Sequence, residues 1–271
     1  MATMRLIKYE GLGNKFLVAI TDHVPIEGRE LAQSLCDAKS GYDVDGLIFG
    51  TPVLTDDIDI QMTLFNADGT LAEISGNGIR CLAQEVFSGS NTTETLRILS
   101  GSGVRNVTLN SRDGDQVEIE VDMGTVRDGP ELPLLDFLNH PSVSVVRAQT
   151  ADIGNPHVVI EVVDLDRVEV ADAGPHIESL WQPGGINVHF IEVRTPHVIS
   201  MLHWERGVGI TQACGSGAAA SSFVAYKWGL VTENVNVEMP GGRASISIRK
   251  DKVYLTGQSV RLAEFEVTTD G

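Results

Sequence analysis

The sequence is short of cysteine, of basic side chains and of long apolar runs, and each shortage closes off a class of protein. Three cysteines, Cys36, Cys81 and Cys214, make an odd number with no CxxC pair. Neither a disulfide framework nor a cysteine-built zinc site is encoded, and a reducing compartment is expected. Lysine and arginine number 20 against 37 acidic residues, a net charge of −17. That balance argues against nucleic-acid partners, which call for a basic surface. It leaves open a small anionic or zwitterionic substrate, because a site can be locally positive. No apolar run reaches 18 residues, and the opening MATMRLIKYEG lacks the apolar stretch of a secretory signal. The expectation is a cytoplasmic protein with no membrane partner. A P-loop is excluded by the missing GK[ST], and neither glycine-rich loop completes a dinucleotide GxGxxG. The histidines do not fall at metal-ligand spacing, so no metal is expected.

What is present is a globular composition, 42% hydrophobic, in a chain long enough for one large domain or two ordinary ones. Period-two alternation in LIKYEGLGNKFLVAI, DIQMTLFNADG, QVEIEVDMG, HVVIEVVD, NVHFIEV and RASISIRKDKVYLTG predicts strands. Helices are predicted at GRELAQSLCDA, GNGIRCLAQEVFS, DAGPHIESLW and GSGAAASSFVAYKWG, the last ending on Gly229. The class is α+β with mostly antiparallel strands, without the regular β–α alternation of a Rossmann sheet. Four landmarks recur in one order. GNKFLVAI from Gly13 is echoed by GNPHVVIEV from Gly154, an offset of 141, and SGNG from Ser75 by CGSG from Cys214, an offset of 139. Asn66 and Glu205 each lie nine residues before their loop, and each half later reaches a charged-turn hairpin. Duplication follows, with two similar α+β domains each bringing one glycine loop to a shared cleft. RDGPELPLLDFLNHPS, holding three of the ten prolines, is the expected linker region.

A glycine-rich turn entering a helix presents backbone N–H groups at the positive end of the helix dipole. Two such loops could grip one carboxylate and hold their head residues on opposite sides of one carbon. The plainer reading of GSGAAASS, small residues that let a helix pack closely, stands beside it. Cys214 heads its helix, where the dipole should bring its thiol below the free value of about 8.5. It would then serve as a general base or acid near neutral pH. Cys36 and Cys81 sit in apolar helical patterns and read as buried packing residues. His157, in GNPH, is the histidine singled out, although a lone histidine near a turn is more often structural.

Taken together, GLGNKF, NADGTLAEISGNGIRC, GNPHVV, GGINVHFIEV, ERGVGITQACGSGAAA and VYLTGQSV resemble diaminopimelate epimerase, in that family's order and over essentially the whole chain. The family is similar in architecture to proline racemases. The resemblance implies two pseudo-symmetric domains of the diaminopimelate epimerase-like fold, each mainly antiparallel strands around a central helix, with the active site in the interdomain cleft. The expected halves are residues 1–127, with the C-terminal strand at about 260–271 placed beside them, and residues 128–271. It further implies an isomerase of lysine and peptidoglycan-precursor biosynthesis that converts LL-diaminopimelate to the meso form, works without a cofactor or metal, and forms a homodimer. In that mechanism one thiolate removes the α-proton and an opposing thiol reprotonates the other face. Carried over by match, Cys214 is one acid/base. Gly76, Asn77, Gly215 and Ser216 hold the α-carboxylate, and Asn14, Asn66, Asn155 and Asn187 line the pocket. Glu205 and Arg206 contact the amino group and the distal end, and His157 assists. Asp45, in SGYDVDG, matches a stretch near the pocket loosely.

The departures bear on the chemistry. Ser75, engineered or natural, stands where the family has its first catalytic cysteine. Lys15 replaces a common acid, His189 a frequent acidic residue, and Ile210 interrupts the usual ERGxGET. A serine hydroxyl is a poor base without an activating partner. Three alternatives to a weakened diaminopimelate epimerase therefore remain: a racemase or epimerase of another amino acid, a one-cysteine dehydratase, and an amino-acid binding protein without catalysis.

Overall fold

The computed structural model describes residues 2–55, 57–72, 75–89, 94–134, 138 and 140–269. In chain order the elements are β1 (Ala2–Gly11), β2 (Asn14–Ile20), α1 (Gly28–Cys36), β3 (Gly46–Thr51), β4 (Ile60–Asn66), α2 (Gly76–Ser88), β5 (Thr95–Ser100), β6 (Gly103–Asp113) and β7 (Gln116–Thr125). There follow β8 (Arg127–Asp128), β9 (Val145–Asp152), β10 (Pro156–Val162), α3 (Val170–Glu178), β11 (Asn187–Thr195), β12 (Val198–Trp204), α4 (Gly215–Lys227), β13 (Asn234–Met239), β14 (Gly242–Arg249) and β15 (Lys252–Thr269). These form two compact units, Met1–Asp122 with Thr256–Gly271, and Met123–Leu255. Part of the expected linker, residues 135–137 and 139, lies outside the described residues.

In the first unit the strands run in the order β1 to β7, followed by the later part of β15, which pairs back onto β1 and closes the sheet into a barrel. The pairings alternate: β1–β2 antiparallel, β2–β3 parallel, β3–β4 antiparallel, β4–β5 parallel, β5–β6 antiparallel. The second unit repeats that sequence of pairings with β9 to β14. Each parallel pair is bridged by a helix, as a parallel connection requires: α1 and α2 in the first unit, α3 and α4 in the second. The sequence pattern gave no sign of these four parallel steps, because β3, β5 and β13 do not stand out as alternating runs. β3, buried at every residue, is the continuous apolar strand expected of a parallel neighbour covered on both faces.

The second helix of each unit is the one the sheet wraps. α2 packs on β1, β2, β3, β4 and β6, and α4 on β9 through β14. α4 can run through such a space because GSGAAASS presents small side chains all round, and every residue from Gly215 to Ala225 is buried. α2 instead buries larger groups, Ile79, Leu82 and Phe87, each worth about 1.5–3 kcal/mol of burial. α1 and α3 lie on the outer faces. α1 places Ala32 and Leu35 over Leu47 and Phe49, and α3 places Ala173 and Ile177 over Val188 and Phe190.

Candidate active site

The two glycine loops build the same local structure. Ser75 caps α2 with φ −144° and ψ 108°, and its Oγ accepts the Gly78 N–H at 2.9 Å. Cys214 caps α4 with φ −121° and ψ 103°, and its Sγ accepts the Gly217 N–H at 3.3 Å. Both are N-caps in extended conformation, the arrangement in which a side-chain acceptor satisfies a first-turn donor. In each helix the next residue's N–H, from Ile79 or Ala218, closes onto the cap carbonyl at 3.0 or 2.9 Å. The turns nine residues upstream match as well. The Asn66 N–H donates to Thr70 O and the Glu205 N–H to Gly209 O, both at 2.8 Å.

Within the first unit, Asn77 Nδ2 donates to Asn14 Oδ1 at 2.6 Å, which ties the first turn of α2 to the start of β2. Asn66 hydrogen-bonds Thr70 Oγ1 at 3.1 Å. Asp45 accepts the Lys15 N–H at 2.8 Å, and Lys15 Nζ pairs with Asp43. The Asp43–Asp45 turn therefore braces the residue after Asn14. Gly76 is buried in the first turn of α2.

Within the second unit, Asn187 links two segments. Its Nδ2 donates to Pro156 O at 2.9 Å, and its Oδ1 accepts the Arg206 N–H at 3.0 Å. His157 is fully buried between Asn155 Oδ1 and His189 Nε2, each at 2.8 Å. Since the Asn155 oxygen can only accept, His157 carries its proton on Nε2 and accepts on Nδ1 from His189. His189 Nδ1 is then a bare acceptor without a partner among the described residues. His203 Nε2 meets Thr211 Oγ1 at 2.8 Å, and the Thr211 hydroxyl donates to Glu205. The three imidazoles form a row across β10, β11 and β12, with ring centroids 4.9 and 6.2 Å apart. They are brought together by strand register, His189 standing opposite His203, and sequence spacing does not reveal them. Among the described residues no cluster of metal-ligating groups occurs. Burial pushes His157 down to about 3 and His203 down to about 4 and takes His189 well below its ordinary range, with Arg206 adding to the effect on His157 and the two neighbouring imidazoles to that on His189.

Cys214 corrects an expectation. Its thiol is raised well above the ordinary value, foremost because it is buried and then because the Glu205 carboxylate lies beside it. The Gly217 N–H and the Ser216 hydroxyl pull the other way and are outweighed. A helix dipole lowers a thiol that water can reach; at 3% exposure desolvation decides. Glu205 is raised in turn by desolvation, against the hydrogen bonds from Thr211 and Cys214. Cys36 and Cys81 are both pushed up to about 11, chiefly by burial, which fits packing residues. The residues that sequence reasoning passed over are Thr211 and His203, which hold Glu205, and Arg80, which lies under the Ser75 loop. Thr211 sits inside a quoted motif, yet nothing in its spacing marks it.

Gly217 explains why the CGSG loop needs its second glycine. A Cβ there would fall 2.1 Å from His189 Cε1, so the buried ring and the first turn of α4 share a space that only glycine leaves open.

The sequence profile of diaminopimelate epimerase matches residues 6–128 and 149–262. Similar curated proteins include the diaminopimelate epimerase of Gloeothece citriformis, 37% identical over 273 residues that cover 94% of this chain and 95% of that one. That of Methanocaldococcus jannaschii is 32% identical, covering 99% and 100%. Among solved structures, a predicted epimerase from Pseudomonas aeruginosa superposes with a TM-score of 0.78 at 16% identity, covering 98% and 100%. A hydroxyproline epimerase from Agrobacterium vitis, with trans-4-hydroxy-L-proline bound, gives 0.74 at 14% identity, covering 99% and 93%. At those identities the structural likeness speaks to fold.

Proposed function

We propose that this chain, which belongs to the diaminopimelate epimerase family, inverts the α-carbon of LL-diaminopimelate, at a rate held down by Ser75. Epimerisation of an amino acid is the activity its relatives carry, and the chain is an isomerase of that kind. The substrate and the consequence of the serine are the proposal. The observation that carries it is the matched pair of caps: Ser75 and Cys214 hold the same position, backbone conformation and N–H acceptor role at the heads of two equivalent helices.

In this reading the α-carboxylate accepts backbone N–H groups from the first turns of α2 and α4, where the helix itself offers no acceptors. Gly76, Asn77, Gly215 and Ser216 supply those turns. Asn14, Asn66, Asn155 and Asn187 orient the rest of the amino acid, and Arg206 takes the distal carboxylate. The α-ammonium group binds beside Glu205. Its positive charge offsets the field that holds the Cys214 proton on, so substrate binding favours the thiolate. The thiolate takes the α-proton, and the electron pair passes into the carboxylate, stabilised by the N–H donors in a dry site. A proton then returns to the opposite face from the Ser75 hydroxyl, or from water held by it, and solvent resets Ser75. His157, uncharged at neutral pH, orients Asn155 and does not exchange protons with substrate. No cofactor enters the scheme.

The test is α-deuterium exchange in heavy water, read by NMR, on LL- and meso-diaminopimelate, with the chain as it stands and with Ser75→Cys. Restoring the second thiol should speed inversion by about 10²–10⁴-fold, the range for one positioned acid/base group. Fast, symmetric exchange from both stereoisomers in the unaltered chain would refute the role given to Ser75. Saturable binding without exchange in either protein would turn the reading to a binding protein. Loss of a β-substituent from another amino acid would turn it to a dehydratase.

A further inference from the structure

Among the described residues Arg80 is the largest fully buried side chain, and it lies directly behind the Ser75 loop. Its Nη1 donates to Gly76 O and its Nη2 to Asn77 Oδ1, both at 2.8 Å, while Nε reaches Gln258 O at 3.5 Å. Every one of these acceptors is neutral. Among the described residues no carboxylate pairs with it, and burial is what brings it down, to about 10, still protonated at neutral pH. Gly257 cuts the slot it occupies: a Cβ there would lie 3.1 Å from the guanidinium carbon. Burying a charge without a counter-charge is costly, so its retention calls for a reason.

The internal repeat supplies a control. Adding the 139-residue offset, the equivalent of Arg80 on α4 is Ala219, and Ser216 stands for Asn77. The strands of the second unit and the helix packed on them therefore form without a cation at this point. What differs is charge at the head of the loop, where a positive group adds to the positive end of the helix.

Resting on the substrate reading above, we propose that Arg80 is a specificity-determining residue that makes the first-unit loop selective for an ionised α-carboxylate over a neutral group of the same shape. Arg80 does not touch substrate. It acts through its field and through Gly76 and Asn77, whose placement it fixes, and Asn77 passes that placement on to Asn14.

The experiment compares affinities, by calorimetry on the whole protein, for free amino acids and for the same amino acids with the α-carboxylate converted to the carboxamide. Diaminopimelate, glutamate and alanine are the probes, with Arg80→Gln and Arg80→Lys beside the parent. Arg80→Gln keeps donors for Gly76 O and Asn77 but removes the charge. It should lower the preference for acid over amide by about 10- to 100-fold, as losing one charge in a poorly screened site does, and leave amide binding nearly unchanged. A merely structural role would weaken acid and amide alike, and that result overturns the proposal. Should Arg80→Gln fail to fold, Arg80→Lys decides. Its buried ammonium titrates below the usual lysine range, so its acid preference should fall between pH 7 and 9 while the parent, whose guanidinium is still protonated there, holds. A preference in Arg80→Lys that stays flat over that range overturns the proposal. A parent that prefers another amino acid to diaminopimelate refutes the substrate, and Arg80 is then judged on that amino acid's acid-to-amide ratio. A parent with no acid preference for any probe refutes the role of Arg80.

Discussion

Mild acid should unsettle the second unit through its histidine row. His157, His189 and His203 are uncharged when folded and held well below the value near 6.5 that they regain in an unfolded chain. Between pH 6.5 and about 4 the unfolded chain binds protons that the folded one refuses. Stability from these groups is therefore complete above pH 6.5 and is lost as pH falls below it. At pH 5.5, one unit below the unfolded value, each histidine has withdrawn about 1.4 kcal/mol, and the three together about 4. Against a total of about 5–15 kcal/mol that is a large share. Glu205 works the other way, since its raised carboxyl is relieved as pH falls. The depressed carboxyls of Asp43, Asp68 and Glu264 act only below pH 5. Urea unfolding at pH 7.5, 6.5 and 5.5 measures the effect. Trp181, Trp204 and Trp228, the protein's three tryptophans, all lie in the second unit and report on it by fluorescence. His203→Gln cannot take up the proton and should recover about 1.4 kcal/mol of the loss at pH 5.5. Stability constant within about 1 kcal/mol from pH 7.5 to 5.5, or an unchanged pH slope in His203→Gln, would show the row to be charged or open to water, and the reasoning wrong.

Two substitutions probe the loops more directly. Gly217→Ala drives a Cβ to 2.1 Å from the His189 ring, whereas the twin Gly78→Ala meets Ser75 Oγ at 3.1 Å and Ile48 Cδ1 at 3.2 Å. Thermal unfolding should find the first costlier, by about 1–3 kcal/mol; equal costs would mean that the ring moves aside freely. Thr211→Val leaves the His203 Nε2–H unpaired and removes a hydrogen bond that lowers Glu205. It should cost about 1–3 kcal/mol and move the acid limb of the pH–rate profile upward; an unmoved limb would separate Glu205 from that limb.

How much was legible differs from residue to residue. Ser75 and Cys214 were readable as the heads of two helices because a helix start is local: a small polar residue, then glycines, then a helical run. The duplication was readable because both copies kept their glycine spacing, and the repeated order of strand pairings follows from it. Arg80 was not readable, since an arginine inside an amphipathic helix looks like any solvated one until β15 closes over it. Thr211 escaped for a similar reason. Its importance lies in reaching Glu205 and His203 at once, which depends on how the chain turns after β12.

The sequence by itself therefore determined the four helices, the alternating strands, the repeat, the two loop heads, and the likeness that places the chain in its family, because all of these rest on short-range pattern. Only the tertiary structure decided the state of the groups. Proximity to a helix end promised Cys214 a low thiol value, and burial beside Glu205 reversed it. Three histidines scattered over 47 residues of chain became one uncharged row by strand register. A charge state is set by all that surrounds a group in space, above all by whether water remains, and no sequence window holds that information.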